Sequence, residues 1–143
     1  MSSNAATLLR ELARQHVRAQ RAALACHGTS VTQCTVLTEL GRTESMTVAE
    51  LSRRLQVDKG WISRAIDRLV TEGLVRKVQG AKDRRTVTLT LTAAGKARYR
   101  KVEKTLNDHV AGVIARIPRA ERAAVERALK LLHASYLAAE SSL

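Results

Sequence analysis

The strongest constraint on this chain lies in residues 47–91, where the hydrophobic period passes from about 3.6 to 2. Thr47 and Glu50 have the spacing of a capping box, in which the Thr hydroxyl accepts the amide three residues on and the Glu reaches back. A helix is predicted to start at Val48 and to bury Val48, Leu51 and Leu55. Gln56 and Val57 form a turn, and Asp58 is suited to cap the next helix because its carboxylate accepts exposed amides at the positive end of the dipole. Ile62, Ile66, Leu69 and Val70 recur at i, i+4, i+7 and i+8, the core stripe of a helix that stops at Gly73. Lys59, Gly60, Trp61, Ser63, Arg64 and Arg68 fall on its other side. After Gly73, Val87, Leu89 and Leu91 alternate with Thr86, Thr88, Thr90 and Thr92 as a half-buried strand. Residues 74–79 supply its partner and residues 80–85 a polar hairpin loop, so a winged helix-turn-helix is expected.

Long helices flank this stretch. From Asn4 to about Cys26, Leu8, Leu9, Leu12, Ala19, Ala23 and Leu24 recur near helical spacing, while Arg10, Arg14, Arg18 and Arg21 form another stripe. Gly28 is the expected stop, and Thr32 is expected to cap a short helix carrying Cys34, Val36, Leu37 and Leu40. Thr92 can cap a long helix over residues 93–117, with Tyr99, Val102, Leu106, Val110, Val113 and Ile117 spaced nearly as a coiled-coil seam. Pro118 fits the first turn of a last helix, striped by Val125, Ala128, Leu129, Leu132 and Tyr136. The expected architecture is mainly α with a small β-hairpin wing, a single domain over residues 1–143. Its winged helix-turn-helix lobe spans residues 32–92, between long helices at 1–31 and 93–143 that carry more apolar stripe than one small core covers.

Lys and Arg number 25 against 13 Asp and Glu, a formal charge of 25 − 13 = +12. On a chain of 143 residues, one domain's worth, this favours a polyanionic partner, with nucleic acid first and an acidic membrane second. No run approaches the roughly 18 apolar residues of a spanning helix, and the first residues lack the apolar core and cleavage site of a secretory signal. The expected place is therefore the cytoplasm, with no membrane partner. Two cysteines, Cys26 and Cys34, make no disulfide framework, as in a reducing compartment. Aromatic residues at 2% argue against single-strand binding by stacked rings.

A helix enters the major groove if its leading face carries small or hydrogen-bonding side chains and its other face is anchored. The helix from Lys59 meets both conditions. Ser63 and Arg64 are the candidates for base edges, Arg64 through two hydrogen bonds to guanine. Gly60 permits close backbone approach, with Lys59 beside it. Trp61 either reaches phosphate through its N–H or packs on the preceding helix; Arg68 either joins the DNA contacts or is a solvated partner of Asp67 or Glu72. In the hairpin loop, Arg85 suits the minor groove and Lys82 and Arg84 suit phosphates, while Asp83 is read as structural, pairing with a neighbouring Arg and orienting it. An ordinary solvated charged turn is the competing reading of this loop taken by itself.

Three elements carry a resemblance to the MarR family of winged-helix regulators: DKGWISR at residues 58–64, EGLV at 72–75, and DRR at 83–85 followed by the LTxxG pattern at 91–95. The helix order extends it over nearly the whole chain. The resemblance implies a homodimer held by the first and last two helices, bound to a pseudo-palindromic operator, usually as a repressor. It also implies a small-molecule effector pocket between the dimerisation helices and the DNA-binding lobe. Two-fold pairing would set the reading helices roughly 34 Å apart.

The sensing residues are less legible. Peroxide sensors of the family carry a reactive Cys near the start of the first helix, poised by tyrosines, and this chain departs from that pattern. Cys34, with Cys26 and His27 just before it, admits three readings: buried apolar filler, a thiol switch, or metal ligation with His16, His27 or His109. A small aromatic acid held by Arg side chains is a fourth possibility. No close Cys/His spacing marks a zinc site, so no metal site and no cofactor are assigned. Enzyme activity is not expected, because GxSxG, Walker, HExxH and CxxC motifs are missing. The alternative in another class is an effector-independent architectural DNA-binding protein.

Overall fold

The computed structural model describes residues 2–142. In chain order the elements are α1 (Ser2–Ala25), α2 (Val31–Gly41), β1 (Met46–Thr47), α3 (Val48–Leu55), α4 (Lys59–Thr71), β2 (Val75–Gln79), β3 (Val87–Leu91), α5 (Ala93–Ala115), a 3-10 turn (Arg119–Glu121) and α6 (Arg122–Glu140). The mainly helical architecture with a hairpin wing is as expected. Two compact units divide the chain, one ending at Leu106 and the other beginning at Asn107.

Local chemistry sets the boundaries in the first unit. Gly28 takes φ +61, and the Gly28 and Thr29 amides donate to the carbonyls of Ala25 and Leu24, closing α1. Ser30, not Thr32, caps α2: its hydroxyl accepts the Gln33 amide at 3.1 Å while the Gln33 side chain accepts the Ser30 amide at 3.0 Å. This reciprocal pair satisfies two backbone donors, whereas Thr32 already lies inside the helix. The Thr47 and Glu50 box forms as expected. Asp58 stands at the start of α4, but its side chain makes no cap hydrogen bond, so only its position, and not its predicted chemistry, holds. Between α3 and α4, Gln56 is left-handed at φ 51, and Ser52 steadies the turn by donating to the Val57 carbonyl at 2.9 Å.

The sheet has a third strand that the sequence pattern does not reveal. β1 pairs antiparallel with β3, Met46 opposite Leu89 and Thr47 opposite Thr88, giving the order β1-β3-β2. The wing register runs from Val75 opposite Leu91 to Gln79 opposite Val87. Leu89 and Leu91 drop into the core with Leu37, Leu40, Leu51, Ile62, Ile66 and Leu69. Val48 and Leu55, expected to be buried, are half-buried at the edge of this core. A smaller cluster joins α1, α2 and α5 through Leu24, Cys34 and Val102.

At the wing's base, the Thr92 amide donates to the Leu74 carbonyl (3.1 Å), the Thr92 hydroxyl donates to the Gly73 carbonyl (2.6 Å), and that hydroxyl accepts the Gly95 amide (3.0 Å). One residue thereby caps α5 and ties it to the end of α4.

In the second unit, Arg122 donates to the carbonyls of Ala115 and Ile117 at 3.1 and 3.0 Å, satisfying the frayed end of α5. Pro118 precedes the 3-10 turn instead of occupying the first turn of α6, because that turn intervenes. Val110 and Val113 on α5 and Leu129, Leu132, Tyr136 and Leu137 on α6 are exposed.

Candidate nucleic-acid interface

Residues on α4 advance by about 100° each, so Ser63 and Arg64 point in different directions, and the structure divides the predicted face accordingly. Lys59 and Ser63 line a cleft of about 450 Å³ with Arg85 and Thr86 of the wing, Lys77 of β2 and Thr47 at the start of α3. Ile66, Val48 and Val87 supply its apolar side. Three cations and no acid line this cleft. Lys77 also contacts the Asp67 carboxylate.

Trp61, Arg64 and Arg68 lie instead along a shallower groove of about 200 Å³ with Ser30, Thr32 and Gln33 at the start of α2. Trp61 is 40% exposed, so part of the ring is open to solvent while the remainder is covered. Arg68 sits 3.8 Å from the Glu72 carboxylate, the ion pair weighed as an alternative for it. The Arg68 side chain is exposed, and such a pair contributes little to stability. Gly60 is open to solvent, and a Cβ there would meet only Asp58 Oδ2, at 3.2 Å. Packing therefore does not demand glycine at 60.

The wing tip is built by its backbone. The Gly80 amide donates to the Thr86 carbonyl at 2.8 Å and the Thr86 amide to the Asp83 carbonyl at 3.1 Å. Asp83 Oδ1 accepts the Arg85 amide at 3.0 Å. Asp83 thus shapes the turn through a backbone N–H and not through a guanidinium, a correction to the pairing read from sequence. Lys82, Arg84 and Arg85 are exposed on it.

The sensing residues separate. Cys34 is buried among Leu24, Val102, Val31 and Leu106, and burial pushes its thiol above the ordinary range despite a weak contact with the Thr38 hydroxyl. These surroundings are those of an apolar filler. Cys26 is exposed and its thiol donates to the Ala23 carbonyl. His27 Nε2 and the Thr105 hydroxyl share a 2.7 Å hydrogen bond. Among the described residues no three His, Cys, Asp or Glu side chains converge as a metal site, and no helix is long and apolar enough to cross a membrane.

Sequence reasoning missed Thr47, Lys77 and Thr86 in the cleft and Ser30 and Thr32 beside Trp61. The Ser30 and Gln33 spacing was a readable cap. The other four enter through tertiary packing.

Two helices joined by a tight turn, followed by a hairpin whose tip flanks the second helix, define a winged helix-turn-helix domain. The model of the MarR family matches residues 27–86. TtmR, an HTH-type transcriptional regulator of Methylorubrum extorquens, is 34% identical over 86 residues, which are 60% of this chain and 44% of that protein. MdtR, an HTH-type transcriptional repressor of Bacillus subtilis, is 31% identical over 75 residues, 52% of this chain and 48% of that one. The chain spans about half the length of these curated relatives. A mutant MarR from E. coli is 26% identical with a TM-score of 0.81, covering 89% of this chain and 94% of the other. The same mutant complexed with operator DNA superposes at 0.75 with the same identity, over 89% and 91%. Over residues 27–86 the chain is similar to the MarR family, and its fold matches that of a solved MarR.

Proposed function

We propose that the chain is a homodimeric, sequence-specific double-stranded DNA-binding regulator of transcription in the cytoplasm, acting as a repressor and released by a small-molecule, thiol-oxidation or metal signal. The observation that carries this reading is the acid-free cleft in which α4, through Lys59 and Ser63, meets the wing, through Arg85. A major-groove probe beside a basic tip suits duplex DNA, with Ser63 and Arg64 at base edges, Arg85 in the minor groove, and Lys82 and Arg84 on phosphates. Lys59, Gly60, Trp61 and Arg68 complete the contact face, and Asp83 holds the tip. The operator complex of a 26% identical neighbour and the naming of a 31% identical relative as a repressor support it. Pairing through the helices outside the lobe is supported by the exposed leucines of α1 and α6, which water alone covers in a single chain. Of the signals, the position of Cys34 favours a small molecule over its oxidation, leaving exposed Cys26 as the accessible thiol.

Gel shift of the chain against its own promoter region, with salt varied, tests the reading. Strong preference over random duplex and a steep fall of log affinity with log salt are expected. Arg64→Ala should relax sequence preference at about 1–3 kcal/mol of discrimination, whereas Arg84→Ala should weaken all duplexes alike. Equal affinity for random DNA would establish the architectural alternative, and no binding at low salt would remove both.

A further inference from the structure

Trp61, Arg64, Arg68 and Glu72 follow one another at i, i+3, i+7 and i+11, so they share one side of α4. The first three line the groove beside α2, whose two cations, Arg64 and Arg68, meet no lining acid among the described residues. Glu72 closes the row as the C-cap residue of α4. The negative end of the helix dipole opposes a carboxylate there, so helix stability does not account for an acid at this position.

Two side chains hold that carboxylate. Gln33 is 5% exposed, and its Oε1 accepts the Ser30 amide in the α2 cap at 3.0 Å, which fixes the carboxamide and leaves its NH2 to face α4. Gln33 Nε2 donates to both Glu72 oxygens at 3.4 Å each. Arg68 Nε lies 3.8 Å from Glu72 Oε1 and makes no other ion pair among the described residues. Gln33 thus keeps Glu72 beside Arg68 instead of letting it swing into solvent.

We infer that Glu72 restrains duplex affinity: anchored by Gln33, it holds Arg68 back from phosphate, and a chain without that charge binds any duplex more tightly. The inference rests on the DNA-binding reading proposed above and adds a positioning residue that opposes it. A carboxylate and a phosphate offer a guanidinium the same chemistry, two oxygens of a delocalised anion, so Arg68 engages one at the expense of the other. The effect falls on backbone affinity and not on base readout, because phosphate contacts carry no sequence information. An exposed pair of this kind adds little to stability, so its removal leaves the fold intact.

Fluorescence anisotropy of the full chain on two labelled duplexes, its own promoter region and a random sequence, over a salt series provides the test. Glu72→Gln keeps an oxygen for Gln33 and removes the charge. It should tighten both duplexes roughly two- to fivefold, the worth of an exposed ion pair, and steepen the fall of log affinity with log salt by about 0.9, the increment of one phosphate contact. Adding Arg68→Gln should cancel both changes, which the mere loss of a negative charge near DNA would not do. Gln33→Met, checked for folding by circular dichroism, should give part of the gain. Unchanged affinity and slope in Glu72→Gln, or a gain that survives in the double variant, would each overturn the inference, and an unchanged Gln33→Met would overturn the anchoring. A parent chain that binds neither duplex at low salt would remove the DNA reading and this inference with it, whereas a parent that binds while Glu72→Gln matches it removes the restraint alone.

Discussion

Gly95→Ala sets two physical effects against each other at the joint between the wing and α5. Helix propensity alone predicts a gain of about 0.8–1.0 kcal/mol, since Gly95 lies inside α5. The surroundings predict the opposite. A Cβ at 95 would sit 1.9 Å from the Leu74 carbonyl oxygen, 2.9 Å from its carbon and 3.3 Å from Leu91 Cδ2. Carbon atoms do not approach a neighbour closer than 3.0 Å, so that oxygen must retreat by 3.0 − 1.9 = 1.1 Å. It already accepts the Thr92 amide at 3.1 Å, a bond that such a shift breaks. Losing it costs about 0.5–1.5 kcal/mol, and the forced displacement about 1–3 kcal/mol more. Less the propensity gain, the net loss is about 0.5–3.5 kcal/mol. With a urea slope of about 2 kcal/mol/M, the midpoint should fall by roughly 0.3–1.8 M. Gly112→Ala, in the same helix and with nothing within 4 Å of the added methyl in the single chain, isolates propensity and should not fall. Urea melts followed by circular dichroism at one fixed protein concentration read both variants. A Gly95→Ala midpoint equal to or above the parent would refute the steric account, and with it the view that this joint fixes the wing.

Two further outcomes follow from burial, and one from exposure. Iodoacetamide at neutral pH should label Cys26 at least tenfold faster than Cys34, the difference vanishing in denaturant, because the Cys34 thiol is covered and its ionisation is pushed up; equal native rates in a mass-spectrometric time course would contradict its buried placement. With folded pKa values raised at Cys34 and Tyr99, the associated stability is complete below the unfolded thiol range and lost as pH climbs through the folded values, so the urea midpoint should be lower at pH 10 than at pH 7. If the proposed homodimer pairs through α6, Leu129→Glu with Leu132→Glu should weaken it at least a hundredfold, roughly 1.4 kcal/mol or more for each leucine. Sedimentation should then shift from twice the 15.7 kDa chain mass toward one copy; an unchanged dimer would move the interface off this part of α6.

Much of the lobe was legible because its determinants are local. The Thr47 and Glu50 box, the Ile62, Ile66 and Leu69 stripe, Gly73 at φ +75 and the alternation from Val87 to Leu91 each act within a few residues, and each took the predicted form. The LTxxG pattern was recognisable too, yet its cause was not: Gly95 is small because the Leu74 carbonyl, far away in sequence, occupies the space.

Tertiary structure decided the rest. β1 exists only because β3 offers it a ladder, and two residues carry no period to betray it. A helix's sequence stripe states which side is apolar but not what the polar side meets, so only packing separated Lys59 and Ser63, which line a cleft with the wing, from Trp61 and Arg64, which border a groove beside the start of α2. Asp83 shows the same division: its type marked a turn, and the folded loop chose the Arg85 amide as its partner. The sequence by itself determined the elements and their charge, because propensity, capping and periodicity are short-range. The fold determined which of those charges share a surface, because that depends on contacts between residues the chain holds far apart.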